Sequence, residues 1–315
     1  MMEWLYAALG LVILLLAGDA LVKGAVNLSL RIGIPALIVS LTIVAFGTSA
    51  PELLISITAA LDGVPGIALG NVIGSNTANI LMVLGIPAMI ATMHTGDCDS
   101  MKSYVQMILG TFLFIALCFT GEFTFVSGLV LLAALSVTLI WAFRQARKHI
   151  DAGEEDDLEE PEGADPDMPW WKIAVYLVLG LIGLPLGAEL LLDSAVTIAR
   201  MFGITETVIG LTLVAIGTSL PELATTVMAV VRRQADVALG NVIGSNMFNL
   251  LAIIGVASLV SPIPVDPALL EFDIWVMLAA SLLLIPFVFF GKHISRVWGV
   301  VLTALYGAYM LVVLS

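Results

Sequence analysis

Cysteine and charge are what this 315-residue chain has least of. Its two cysteines, Cys98 and Cys118, stand far apart with no CxxC spacing, which excludes a disulfide framework and a thiolate metal motif and leaves both as packing residues. There is no HExxH, no nucleophile paired with a base and no paired aspartates, so an enzyme is not expected and no cofactor is called for. With twelve Lys and Arg in all, nucleic acid is not an expected partner. Only 12% of residues are charged while 60% are apolar, and the mean hydropathy of +1.09 is far too high for an ordinary soluble domain.

The net charge of -13 is mostly one segment: ten acids and no base lie between Asp151 and Asp167, which leaves -3 for the rest of the chain. With Pro161, Pro166 and Pro169 this stretch has the composition of a solvated linker, and it lacks the spacing and turn glycine of an EF-hand. It divides the chain into a first unit, 1–145, a linker, 146–169, and a second unit, 170–315.

A bilayer span needs roughly 20 apolar residues. On that rule ten spans are expected, at 3–22, 34–61, 66–92, 103–121, 124–143, 171–192, 205–231, 236–261, 271–290 and 296–314. The N-terminal run lacks a basic leader and a small-residue cleavage site, so it reads as a retained span. Helix is expected throughout, because open strands cannot satisfy their backbone in lipid. The fold class is therefore an all-α polytopic membrane protein in the cell membrane. Placing both termini outside puts eleven of the twelve Lys and Arg in cytoplasmic loops, with Arg200 the exception.

What the chain has twice is more informative. Gly47-Thr48-Ser49-Ala50-Pro51-Glu52-Leu53 returns as Gly217-Thr218-Ser219-Leu220-Pro221-Glu222-Leu223, and Ala68–Asn76 returns letter for letter as Ala238–Asn246, both at an offset of 170. Five spans separate the copies, so the second copy runs the opposite way through the membrane. Two inverted five-helix repeats around a midplane site are the expected architecture of a secondary transporter, opened alternately to each side.

The repeated words carry hard-cation chemistry. The second span, about 28 residues, would measure roughly 42 Å at 1.5 Å per residue and has length to spare for a break. Pro51 and Pro221 free the carbonyls of Gly47 and Gly217, and the carbonyls of Ala45, Thr48, Ala215 and Thr218 are candidates to join them. Thr48 and Glu52 share a helical face beside Ser49, as Thr218 and Glu222 do beside Ser219; Ser75 with Asn79 and Ser245 with Asn249 repeat the four-residue spacing. Carboxylates, hydroxyls, amides and carbonyls without thiol or imidazole suit Ca2+ or Na+. A glutamate at membrane depth is costly enough that function is its default explanation. Gly70, Gly74, Gly240 and Gly244 read as close-packing positions, Asn71 and Asn241 as braces of helix ends, and Asp19 and Glu189 as span-end residues reaching the interface.

On these doubled motifs the chain resembles the cation/calcium antiporter superfamily, in particular its prokaryotic sodium/calcium exchanger branch, over nearly its whole length apart from the acidic segment. The resemblance implies ten helices, a central Ca2+ site from Glu52, Glu222, Thr48 and Thr218, and flanking Na+ sites from Ser49, Ser75, Ser219, Ser245 and the carbonyls of Ala45 and Ala215. Asn79 and Asn249 would complete the middle, and spans one and six would form a sliding gate. Asn249 departs from potassium-dependent relatives that have Asp there, which weakens a case for potassium co-transport.

The expected activity is therefore exchange of Ca2+ for Na+, by a chain functional as a monomer in the lipid bilayer. Two glutamates in one cavity repel, so Ca2+ and Na+ compete to compensate them, and an empty site is expected to hold at least one proton. H+/Ca2+ exchange on the same scaffold is the alternative. A passive cation channel, a third class, would show Ca2+ flux independent of any sodium or proton gradient.

Overall fold

The computed structural model describes residues 2–63, 66–95, 98, 100–152, 165, 167–203 and 215–314. Its helices are α1 (Met2–Ile32), α2 (Ala36–Thr48), α3 (Ala50–Leu61), α4 (Gly66–Ile90), α5 (Met101–Cys118), α6 (Phe125–Ala152), α7 (Trp170–Met201), α8 (Ala215–Gly217), α9 (Leu220–Val231), α10 (Ala235–Val260), α11 (Pro267–Phe289) and α12 (Arg296–Val313). Among the described residues eight are long and apolar enough to cross a membrane, and α2 with α3 forms a ninth candidate bent by 45°. Residues 205–214 of the expected seventh span, and 153–164 and 166 of the acidic linker, lie outside the described residues.

The bend between α2 and α3 falls where the motif predicts it. Ser49 leaves helical geometry (φ -85°, ψ 6°) and Pro51 sits in the first turn of α3, where its missing N–H costs no hydrogen bond. Ser219 repeats this before α9 with φ -87° and ψ 7°. Each break leaves a glutamate, Glu52 or Glu222, in the first turn of a half-helix, where the helix dipole favours negative charge.

Two apolar clusters occupy the two ends of the molecule. One gathers Val26, Leu37, Met93, Val230, Val237 and Ile294; the other gathers Ala60, Ala68, Phe123, Ile263 and Ile274. We call these ends face A and face B. Short strands pin loops at each: β1 (Glu122–Phe123) pairs antiparallel with β2 (Ile263–Pro264) on face B, and Met93 bridges Ile294 on face A.

Helices α1 and α7 run well past their expected ends at 22 and 192 and pack antiparallel, Gly10 beside Leu191 and Gly24 beside Leu177. A Cβ on Gly10 would lie 2.7 Å from the Leu191 amide nitrogen, so the seam exists because glycine lets the backbones meet. Because α1 continues to Ile32, Asp19 lies in the body of that helix. It is ion-paired with Lys23 at 3.0 Å and with Arg232.

Candidate cation site

The four segments that carry the repeated words converge in the middle of the fold. α10 packs against α2, α9 and α4, so that the second repeated block lies against the first repeated break. Glu52, Glu222, Thr48, Ser49, Ser219, Ser75, Ser245, Asn79, Asn249 and the Ala45 residue are all buried, as is Thr218; Glu52 and Glu222 have no exposed surface at all. Ala215 opens the single turn α8, directly before Thr218.

Contacts cross between the two copies: the Ser49 hydroxyl donates to Glu222 Oε1 at 3.1 Å, and the Thr48 and Ser245 hydroxyls lie 3.3 Å apart. Within the second copy, Ser245 donates to the same Glu222 oxygen at 3.5 Å. Glu52 stands within electrostatic reach of Glu222. Asn71 donates to the Glu52 carbonyl at 3.3 Å and Asn241 to the Glu222 carbonyl at 3.4 Å, so these two asparagines brace the half-helices as expected. Asn241 does more, accepting from Thr48 at 3.2 Å through its Oδ1. The Ala45 carbonyl is not free of protein contacts: it accepts from the Ser49 amide at 3.0 Å and the Thr48 hydroxyl at 3.3 Å.

Buried polar atoms are normally paired. Among the described residues, both carboxylate oxygens of Glu52, Oε2 of Glu222, the Ser219 hydroxyl and the Oδ1 atoms of Asn79 and Asn249 have no hydrogen-bond partner. These six oxygens account for most of the unpartnered buried side-chain atoms among the described residues. All are acceptors or can act as such, and two acidic groups are among them, which is the donor set of a site for a hard cation.

Asn76 and Asn246 join the site without having been candidates on sequence grounds. Their side chains sit between the two amides: Asn79 donates to Asn246 Oδ1 at 3.0 Å and Asn249 donates to Asn76 Oδ1 at 3.1 Å. The available signal was their place as last letter of the repeated block. Three π-helical turns, Ser40–Val44, Asn79–Val83 and Phe248–Ile253, were also unforeseen, and two of them contain the site amides. Such turns re-aim side chains and recur at functional sites.

Identical glycines meet unlike surroundings. A Cβ at Gly244 would collide with the Leu41 carbonyl, and one at Gly240 would lie 2.6 Å from the Leu37 carbonyl, while Ser40 donates to the Val237 carbonyl at 2.6 Å. Face A is therefore closed over the site. At Gly70 and Gly74 a Cβ would meet no neighbouring element among the described residues within 4 Å; residues 207–211, the counterparts of the segment that covers Gly240 and Gly244, lie outside the described residues. Gly70 and Gly74 line a cavity of about 470 Å3 on face B, together with Ile55, Asp273 and the site residues Ser75 and Thr218.

A bundle of membrane-length helices with broken segments, two buried glutamates and a cluster of unpartnered oxygens defines a polytopic membrane transporter of cations. The chain belongs to the sodium/calcium exchanger protein family, which matches residues 2–144 and 172–315, and so to the cation/calcium antiporters. It is 38% identical to the putative antiporter CaxA of Alkalimonas amylolytica, over 99% of this chain and 98% of the relative. It is 32% identical to the sodium/calcium exchanger MaX1 of Methanosarcina acetivorans, over 98% of each. Among solved structures it superimposes on the sodium-calcium exchanger NCX_Mj with a TM-score of 0.83 and 33% identity, covering 99% of this chain and 98% of that one.

Proposed function

We propose that this chain exchanges Ca2+ for Na+ across the cell membrane by alternating access, using one site shared by two inverted five-helix repeats. The observation that carries the proposal is the placing of Glu52 and Glu222, one from each repeat, in a common buried cluster whose remaining oxygens lack protein partners. Calcium and sodium would compete there because either compensates the same two carboxylates.

Several features support the inversion and the ten-helix count. The corresponding helices α1 and α7 run antiparallel, and the corresponding half-helices α3 and α9 end on opposite faces, Ala60 in one apolar cluster and Val230 in the other. The closed face A and the cavity on face B correspond to one of two access states. With both termini outside, that cavity faces the exterior. The names of the relatives, sodium/calcium exchangers among them, favour sodium as the counter-ion.

Uptake of Ca2+ into proteoliposomes loaded with Na+ and diluted into Na+-free medium tests this directly. Uptake that requires the outward Na+ gradient is expected. Uptake driven by a pH gradient alone would replace sodium by protons as the coupling ion, and uptake down the Ca2+ gradient independent of any Na+ or H+ gradient would make the protein a channel.

A further inference from the structure

We infer that Asn76 and Asn246 are positioning residues that fix the amides of Asn79 and Asn249 with their oxygens free for the ion and their N–H groups tied away from it. The inference rests on the proposed site. Asn79 and Asn249 are neutral ligands that can turn either end of the amide inward, and the N–H end would repel a cation. The Nδ2 of Asn79 is held by Asn246 Oδ1 at 3.0 Å, and the Nδ2 of Asn249 by Asn76 Oδ1 at 3.1 Å. Asn246 and Asn76 are locked in turn, each donating through its own Nδ2 to the other's backbone carbonyl at 3.4 Å. All four are buried, and the ring joins one repeat to the other, so neither amide can rotate alone. What remains unpartnered is Oδ1 of Asn79 and Oδ1 of Asn249. The ring of four amides thus engages both amide nitrogens and leaves two oxygens without a partner among the described residues.

The test is Ca2+ binding to purified protein combined with flux. Asn246→Ala should raise the Kd for Ca2+ about five- to tenfold, the scale of one mis-set polar ligand, while Asn246→Asp, which keeps the acceptor for Asn79, should retain more affinity than Asn246→Ala. Asn246→Ala made in an Asn79→Ala background should add no further loss, because Asn246 acts through Asn79. An equal additional loss in that background means a general structural role and overturns the inference. If Asn79→Ala itself leaves the Kd unchanged, the site reading fails first.

A separate observation concerns the energies of the two access states, and it rests on the inverted-repeat reading. We propose that the ion pair of Asp19 with Arg232 latches face A shut, and that the missing counterpart on face B biases the carrier toward the state described above. The pair ties α1 to the end of α9, and next to it a Cβ at Gly18 would lie 3.0 Å from the Ala224 carbonyl, so backbones meet there as well. At an offset of 170 the counterparts of Asp19, Lys23 and Arg232 are Glu189, Asp193 and Asp62, three acids, all exposed, and the counterpart of Gly18 is Ala188. Closing face B in the mirror arrangement would bring like charges together and put a methyl group where glycine lets face A close.

Single cysteines in a background lacking Cys98 and Cys118 report the bias. Ile55→Cys lines the face B cavity; Thr225→Cys, its counterpart, is buried on the closed side. Asp19→Asn should raise labelling of Thr225→Cys by an impermeant maleimide from face A about three- to tenfold and lower that of Ile55→Cys from face B, the effect of losing one partly buried ion pair. Asp62→Arg should act in the same direction, and exchanging the partners as Asp19→Arg with Arg232→Asp should restore the original pattern. Labelling that rises at both positions, or changes at neither, overturns the latch. If Asp62→Arg moves neither label while Na+-driven Ca2+ uptake persists, the bias is overturned and the exchanger reading stands.

Discussion

Replacing Glu52 with glutamine removes one of two buried charges and keeps the shape of the side chain. Neither carboxylate oxygen of Glu52 has a hydrogen-bond partner among the described residues, so the attraction lost is the one with the bound cation. Removing one member of a buried ion pair costs about 3–5 kcal/mol. That is roughly a hundred- to several-thousandfold in the Kd for Ca2+. Folding should hardly change, because a neutral amide is less costly to bury than a carboxylate. Glu222→Gln should weaken binding on the same scale, and it also perturbs the Ser49 and Ser245 hydroxyls that donate to Oε1. Calorimetric titration with Ca2+, alongside thermal melting in detergent, measures both quantities. A Glu52→Gln protein that melts like the wild type and binds Ca2+ within threefold of it would refute the reasoning.

Sodium should raise the apparent Kd for Ca2+ in the purified protein, whereas potassium at equal ionic strength should not; equilibrium binding of 45Ca distinguishes them. Gly74→Val is expected to leave thermal stability near wild type but to slow flux at least tenfold, because a branched side chain there would protrude into the face B cavity that Gly74 lines. Gly244→Val, the same change at the corresponding position, should instead lower stability by about 1–3 kcal/mol by driving a side chain into the Leu41 carbonyl, visible as a lower melting temperature. Gly180→Val should destabilise on the same scale, since even a Cβ there meets Leu21 Cβ at 2.5 Å, and a melting curve unchanged by it would contradict the α1–α7 seam.

Most of the architecture was legible because hydropathy and a doubled vocabulary are both visible in one sequence. The word around Glu52 contains its own explanation: a proline in the first turn of α3, a serine at the break and an acid at the half-helix start. Helix lengths were less legible. Lys23 and Asp193 end the apolar runs but not the helices, which continue to Ile32 and Met201, since charged side chains continue a helix readily once they reach its polar end. The π-helical turns leave no mark in composition, because one extra residue per turn does not alter which residues are apolar. The unlike roles of Gly74 and Gly244 could not be read from identical letters, since they depend on which face of the whole molecule is closed. Asn76 and Asn246 were hidden for a related reason: their contacts are made to the opposite repeat, 170 positions or so away.

Diffraction from crystals grown with Ca2+, read from its anomalous signal, tests the shared site most directly. The account predicts a density peak bonded to carboxylate oxygens of both Glu52 and Glu222 at about 2.3–2.6 Å. A Ca2+ ion held by only one of the two glutamates, or bound elsewhere with both carboxylates turned away from it, would contradict it.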